Sequence, residues 1–164
     1  MPFKERAREA QKNLSLPLEE VAASAVGEGD RRSSMKVLVI GGGGREHAVC
    51  RKLSESKDVT ELLCAPGNAG IARVARCIPD VKATDIDGIV ALAKREKVDF
   101  VCVTPDDPLA LGCVDRLEAE GIAAFGPTAY AAQMEASKIF SKNLMRKYGI
   151  PTAKCEIFTE MEKA

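Results

Sequence analysis

The sequence is poor in the features that mark several large function classes. It has no net charge, with 24 basic and 24 acidic side chains in 164 residues, so no long-range field attracts nucleic acid or an anionic membrane, and charge recognition has to be local. No apolar run approaches the roughly 20 residues of a membrane helix, and the start lacks the apolar stretch of a secretory signal. Six acidic residues among the first 34 argue against an acid-poor transit peptide. The expected compartment is the cytoplasm. His47 is the only histidine, and none of the six cysteines stands in a CxxC pair. That spacing excludes both a structural zinc site and a disulfide frame and leaves six free thiols. Cys50 lies one helical turn from His47, which would allow a nucleophile pair, but its aliphatic neighbours favour a small buried hydrophobe.

A chain of this length can bury one core, hiding roughly two thirds of its unfolded surface. Residues 1–34 are charge-mixed and end in Gly27-Glu-Gly-Asp-Arg-Arg-Ser-Ser34, the composition of a flexible extension or linker, with a short helix expected over Lys4–Leu14. From Lys36 short apolar runs alternate with helical patterns. Strands are expected at Val37–Ile40, Glu61–Ala65, Phe100–Val103 and Ile122–Phe125, and helices at Glu46–Ser54, Asp87–Lys97 and Leu109–Glu120. This β-α-β-α-β-α-β order requires right-handed crossovers and hence an α/β fold with a doubly wound, mostly parallel sheet. Two more helices, Ala129–Glu135 and Ser137–Lys147, precede Gly149-Ile-Pro151, and Thr152–Phe158 reads as the start of another strand. The expected division is an extension over 1–34, an amino-terminal α/β domain over 35–127, and linker helices with the beginning of a second domain over 128–164.

In such sheets ligands bind beyond the carboxyl ends of the strands. Gly41-Gly-Gly-Gly-Arg-Glu-His47 follows the first strand and opens a helix. Free amides and the helix dipole there suit a phosphate, glycines allow close approach, and Arg45 can add a fork of donors. The plainer alternative is a tight turn, for which one or two glycines would suffice. The dinucleotide fingerprint G-x-G-x-x-G is not met, no acidic residue closes the second strand, and no Gly-Lys-Ser/Thr follows the loop, which disfavours NAD and a Walker site.

Met35-Lys-Val-Leu-Val-Ile-Gly-Gly-Gly-Gly-Arg-Glu-His47 resembles the opening of the phosphoribosylamine-glycine ligase family. Cys64-Ala-Pro-Gly-Asn-Ala-Gly-Ile71, Pro105-Asp-Asp-Pro-Leu109, Phe125-Gly-Pro127, Glu135-Ala-Ser-Lys138 and Lys147-Tyr-Gly-Ile-Pro-Thr152 are similar to its later signatures in order and spacing. The resemblance implies a Rossmann-like pre-ATP-grasp domain followed by the start of an ATP-grasp domain. It also implies ATP-dependent joining of phosphoribosylamine and glycine to glycinamide ribonucleotide in purine biosynthesis. ATP with Mg or Mn would serve the full-length enzyme, a monomer acting on small molecules without nucleic acid or membrane. The catalytic and metal-binding residues would lie downstream of Ala164, so residues 1–164 alone are expected to be inactive and to bind neither cofactor tightly.

Carried onto this sequence, Gly42, Gly43, Gly44, Arg45, Glu46 and His47 would face the substrate, with Asn68 and Gly70 along its side and Asp106 and Pro108 closing it. The family usually has Pro-Glu-x-Pro where this chain has Pro105-Asp-Asp-Pro108, a shorter carboxylate of the same charge. Asp106 and Asp107 equally suit the amino-terminal turn of a helix with Pro108 in its first position. Lys138 matches a lysine that touches a nucleotide phosphate in ATP-grasp enzymes, against its default as a solvated surface residue. A related ATP-grasp carboxylase and a non-catalytic nucleotide-binding module are the other readings of the same pattern.

Overall fold

The computed structural model describes residues 34–156 and Phe158. Its centre is β1 (Met35–Gly41), whose residues Val37–Ile40 are fully buried. Continuous aliphatic runs of this kind suit a strand covered on both faces, and β1 has parallel neighbours on both sides. These are β2 (Val59–Pro66) and β4 (Phe100–Val103). With β3 (Arg76–Cys77) and β5 (Ala124–Phe125) the sheet has five parallel strands in the order β3-β2-β1-β4-β5.

The two-residue period of β1 divides the core. Leu38 and Ile40 point to one face, where α2 (Ile86–Glu96) contributes Ile89, Leu92 and Ala93 and α4 (Cys113–Ala119) contributes Val114 and Leu117. Val37 and Val39 point to the other, under Cys50 of α1 (Gly44–Ser54) and Ile71 of a short 3-10 turn. The chain leaves β1 toward β2 and β3, then returns through α2 to β4 on the opposite flank of β1. That reversal opens a crevice at the carboxyl ends of β1 and β4, the position where ligands bind in doubly wound sheets.

Helix boundaries follow local chemistry. Asp85 caps α2 by accepting from the Gly88 amide at 3.0 Å, and Lys97 closes it at φ 53°. Thr128 and Ser137 cap α5 (Ala129–Ala136) and α6 (Lys138–Tyr148), with Gly149 ending α6 at φ 64°.

Three expectations need correction. The stretch expected as one helix over Leu109–Glu120 is two, α3 (Asp106–Ala110) and α4, because Gly112 takes a left-handed φ of 80° between them. The sheet has a fifth strand, β3, too short and polar to produce an apolar signal; it is set by its register, Leu63 opposite Arg76 and Cys64 opposite Cys77. The strand expected over Thr152–Phe158 is absent among the described residues of that stretch. Side chains of α6 hold this stretch instead: Lys142 Nζ donates to Thr152 Oγ1 at 2.7 Å and to the Ala153 carbonyl at 2.9 Å, and Arg146 donates to the Cys155 carbonyl. The helix expected at Lys4–Leu14 lies outside the described residues.

Candidate functional site

The loop leaving β1 is shaped by close approaches that exclude side chains, and its four glycines are not equivalent. Gly41 has φ 122°, and a Cβ there would lie 2.6 Å from Glu46 Cγ and 2.8 Å from Pro105 Cγ. At Gly42 it would meet the Gly67 carbonyl oxygen at 2.7 Å, and at Gly43 it would meet Glu46 Oε2 at 2.8 Å. At Gly44 it would meet nothing within 4 Å. Packing therefore accounts for three of the four glycines. Gly44, the first residue of α1, carries no fold requirement of this kind.

Glu46 is buried, with only 5% of its surface exposed. Its Oε2 accepts from the Gly43 amide at 2.7 Å, a third-position carboxylate closing back on the N-cap. Its Oε1 accepts from Thr104 Oγ1 at 2.6 Å. Arg45 Nη1 donates to the Thr104 carbonyl at 2.8 Å and lies 3.6 Å from Asp106 Oδ1. The start of α1 is thereby tied to the loop after β4. Between them lies an open cavity of about 410 Å³, walled by Gly43–Glu46 on one side and Pro105–Asp107 on the other.

A helix leaves its first amides without intrahelical acceptors. In α1 the Gly43 amide is taken by Glu46. The amides of Gly44, Arg45 and Glu46 donate to no acceptor among the described residues. These donors, the positive end of the helix dipole and the Arg45 guanidinium converge on one mouth, an arrangement that favours a tetrahedral oxyanion.

The other expected site residues separate into groups. Asn68 is bound up in the scaffold: its Nδ2 donates to the Gly42 carbonyl at 2.7 Å, while its Oδ1 accepts from Gly70 at 2.8 Å and Ile71 at 2.9 Å. Gly70 is needed for the nearness of His47, whose Cε1 would lie 2.9 Å from a Cβ there. Asp106 and Asp107 occupy the first turn of α3 and also line the cavity, so the helix-charge and cleft-wall readings both hold geometrically. Pro108 is buried at the third helical position, not the first, and stands behind the wall. Lys138 is exposed at the start of α6 and does not line the cavity. Thr104 is not among the site residues expected from the sequence, although its position just past a buried strand, in the loop that faces the crevice, was a usable signal.

The four buried thiols are packed into the core and do not line the cavity. Cys50 is fully buried among Val37, Val39 and Ile71. Its hydrogen bond with Cys64, together with burial, pushes the Cys64 thiol far up. Burial raises Cys102 to about 12 and Cys113 to about 11. Among the described residues no group of three His, Cys, Asp or Glu side chains is placed to hold a metal ion.

Residues 35–135 match the family model described as phosphoribosylglycinamide synthetase, N domain. The chain belongs to this family. A phosphoribosylamine-glycine ligase of Xanthomonas campestris is 52% identical over 131 residues, which are 79% of this chain and 30% of the relative. The ligase of Caldanaerobacter subterraneus is 45% identical over 130 residues, 79% of this chain and 31% of the relative. The chain thus spans less than a third of the curated relatives it matches. Among solved structures, the crystal structure of phosphoribosylamine-glycine ligase from Thermotoga maritima superposes with a TM-score of 0.50 at 28% identity, covering 73% of this chain and 26% of that one. The biotin carboxylase domain of a thermophilic 2-oxoglutarate carboxylase gives 0.58 at 17% identity over 79% of this chain and 32% of that one, a likeness of fold.

Proposed function

We propose that this synthetase N domain is the amino-terminal, substrate-binding part of an ATP-dependent ligase. The ligase joins phosphoribosylamine to glycine and yields glycinamide ribonucleotide in purine biosynthesis. The glycine loop receives the 5-phosphate of the phosphoribosyl group. One observation carries the phosphate assignment: Gly44 has open space where a side chain would stand, beside three amides with no acceptor among the described residues. A glycine unexplained by packing, at an anion-binding helix terminus, is explained by a ligand that must come close to the backbone. Arg45 completes the phosphate contact, and Asp106 on the facing wall accepts from sugar hydroxyls. Gly42, Gly43, Glu46, His47, Asn68 and Gly70 hold the loop in shape.

ATP belongs to the complete ligase, with Lys138 reaching one of its phosphates. The described residues do not fit a Mg or Mn ion, which other parts of the ligase would hold. We place the complete ligase in the cytoplasm, as a monomer. Among the described residues no helix is long and apolar enough to cross a membrane.

Calorimetric titration of the chain with ribose 5-phosphate and with ribose tests the phosphate assignment. Millimolar-range binding of the phosphorylated sugar is expected, since the cavity is open on one side, with no measurable binding of ribose. Equal affinity for both would mean that the loop does not read phosphate.

A further inference from the structure

Glu46 makes two hydrogen bonds where an amino-terminal cap requires one. The bond to the Gly43 amide is local and would hold α1 by itself. The second, at 2.6 Å, reaches the hydroxyl of Thr104, 58 residues away and immediately before the Pro105–Asp107 wall of the cavity. The residue offering that hydroxyl is gripped again through its carbonyl, by Arg45 at 2.8 Å. Two consecutive residues of the glycine loop thus hold the two ends of one threonine.

We infer that Thr104 is a positioning residue for the phosphate site: its hydroxyl fixes the Glu46 carboxylate, which fixes the Gly43 amide and so the aim of the Gly44, Arg45 and Glu46 amides. The inference rests on the phosphate reading of the loop and adds a residue outside the glycine motif to it. Thr104 does not line the cavity. Its effect passes through Glu46, a largely buried charge whose second oxygen has no alternative protein donor among the described contacts. Removing the hydroxyl takes away that oxygen's protein donor, and the carboxylate regains a partner by turning away from Gly43 toward water in the open cavity. The N-cap amide is then released and the three donors lose their common focus. A serine keeps the hydroxyl and the bond; a valine keeps the shape and loses it.

The test compares the wild-type chain with Thr104→Val and Thr104→Ser by two measurements. The first is hydrogen exchange of the Gly43 amide without ligand, which is expected to speed up on the order of tenfold in Thr104→Val and to stay near wild type in Thr104→Ser. The second is the dissociation constant for ribose 5-phosphate, expected to weaken by a similar factor in the valine variant and to be restored in the serine variant. A purely structural threonine would lower the melting temperature without this rescue pattern. If the wild type binds ribose 5-phosphate and Thr104→Val binds it equally well with Gly43 exchange unchanged, the positioning role is wrong and the phosphate reading stands. If the wild type itself shows no phosphate-dependent binding, the phosphate reading fails and the positioning role with it.

Discussion

Gly43 and Gly44 are adjacent and chemically identical, yet they stand in different surroundings. A Cβ at Gly43 would press on Glu46 Oε2 at 2.8 Å, while one at Gly44 would enter open space. Gly43→Val should therefore damage the Glu46 clamp, lowering the melting temperature and ligand affinity together. Gly44→Val should abolish phosphate binding with little thermal effect, because valine at a first helical position replaces a residue that is itself a poor helix former. Parallel thermal melts and ribose 5-phosphate titrations check this, and a destabilised Gly44→Val that still binds would reverse the assignment. The run of glycines was legible as a close-approach loop from sequence alone. Which of the glycines packing requires was not, because that depends on Gly67 and Glu46 arriving from other parts of the fold. Asn68 shows the same limit: an amide in a Pro-Gly-Asn turn can face a ligand or its own backbone, and here it holds three backbone groups.

At the scale of elements, β3 and the end of α2 are joined by side chains rather than by apolar burial. Arg76 of β3 contacts Glu61 of β2 at 3.1 Å and Glu96 of α2 at 2.5 Å, and Lys36 of β1 reaches Glu61 at 2.6 Å. Lys36 and then Arg76 hold the Glu61 carboxyl below its usual range, and Arg76 does the same for Glu96. A folded-state pKa below the unfolded one contributes stability that is present above the unfolded value, 4.5 for Glu, and is lost as pH falls through the folded value. Urea unfolding from pH 7 to pH 3 should show stability declining below about pH 5. Arg76→Ala should flatten that decline, and added salt should reduce the difference because these groups are largely exposed. An Arg76→Ala curve parallel to wild type would remove this account of how the edge strand is held. A two-residue strand with Arg76 at one of its two positions leaves no hydrophobic period in the sequence. The break at Gly112 was missed because α3 and α4 both carry apolar residues at helical spacing, and only the left-handed φ of 80° separates them.

On the scale of the molecule, alternation of buried strands with helices was enough to give a doubly wound parallel sheet, and its reversal beside β1 places the glycine loop opposite the Thr104–Asp107 segment. Long-range partners within the crevice were the illegible part, since the bond between Glu46 and Thr104 joins residues that no local pattern connects. The central claim is that this crevice reads a phosphoribosyl group rather than a dinucleotide. Titration of the isotope-labelled chain with glycinamide ribonucleotide and, separately, with NAD at equal millimolar concentration tests it most directly through the backbone amide resonances. The ribonucleotide is predicted to shift Gly44, Arg45 and Glu46 in a saturable manner while NAD leaves them in place. Saturable shifts with NAD and none with the ribonucleotide would contradict the account.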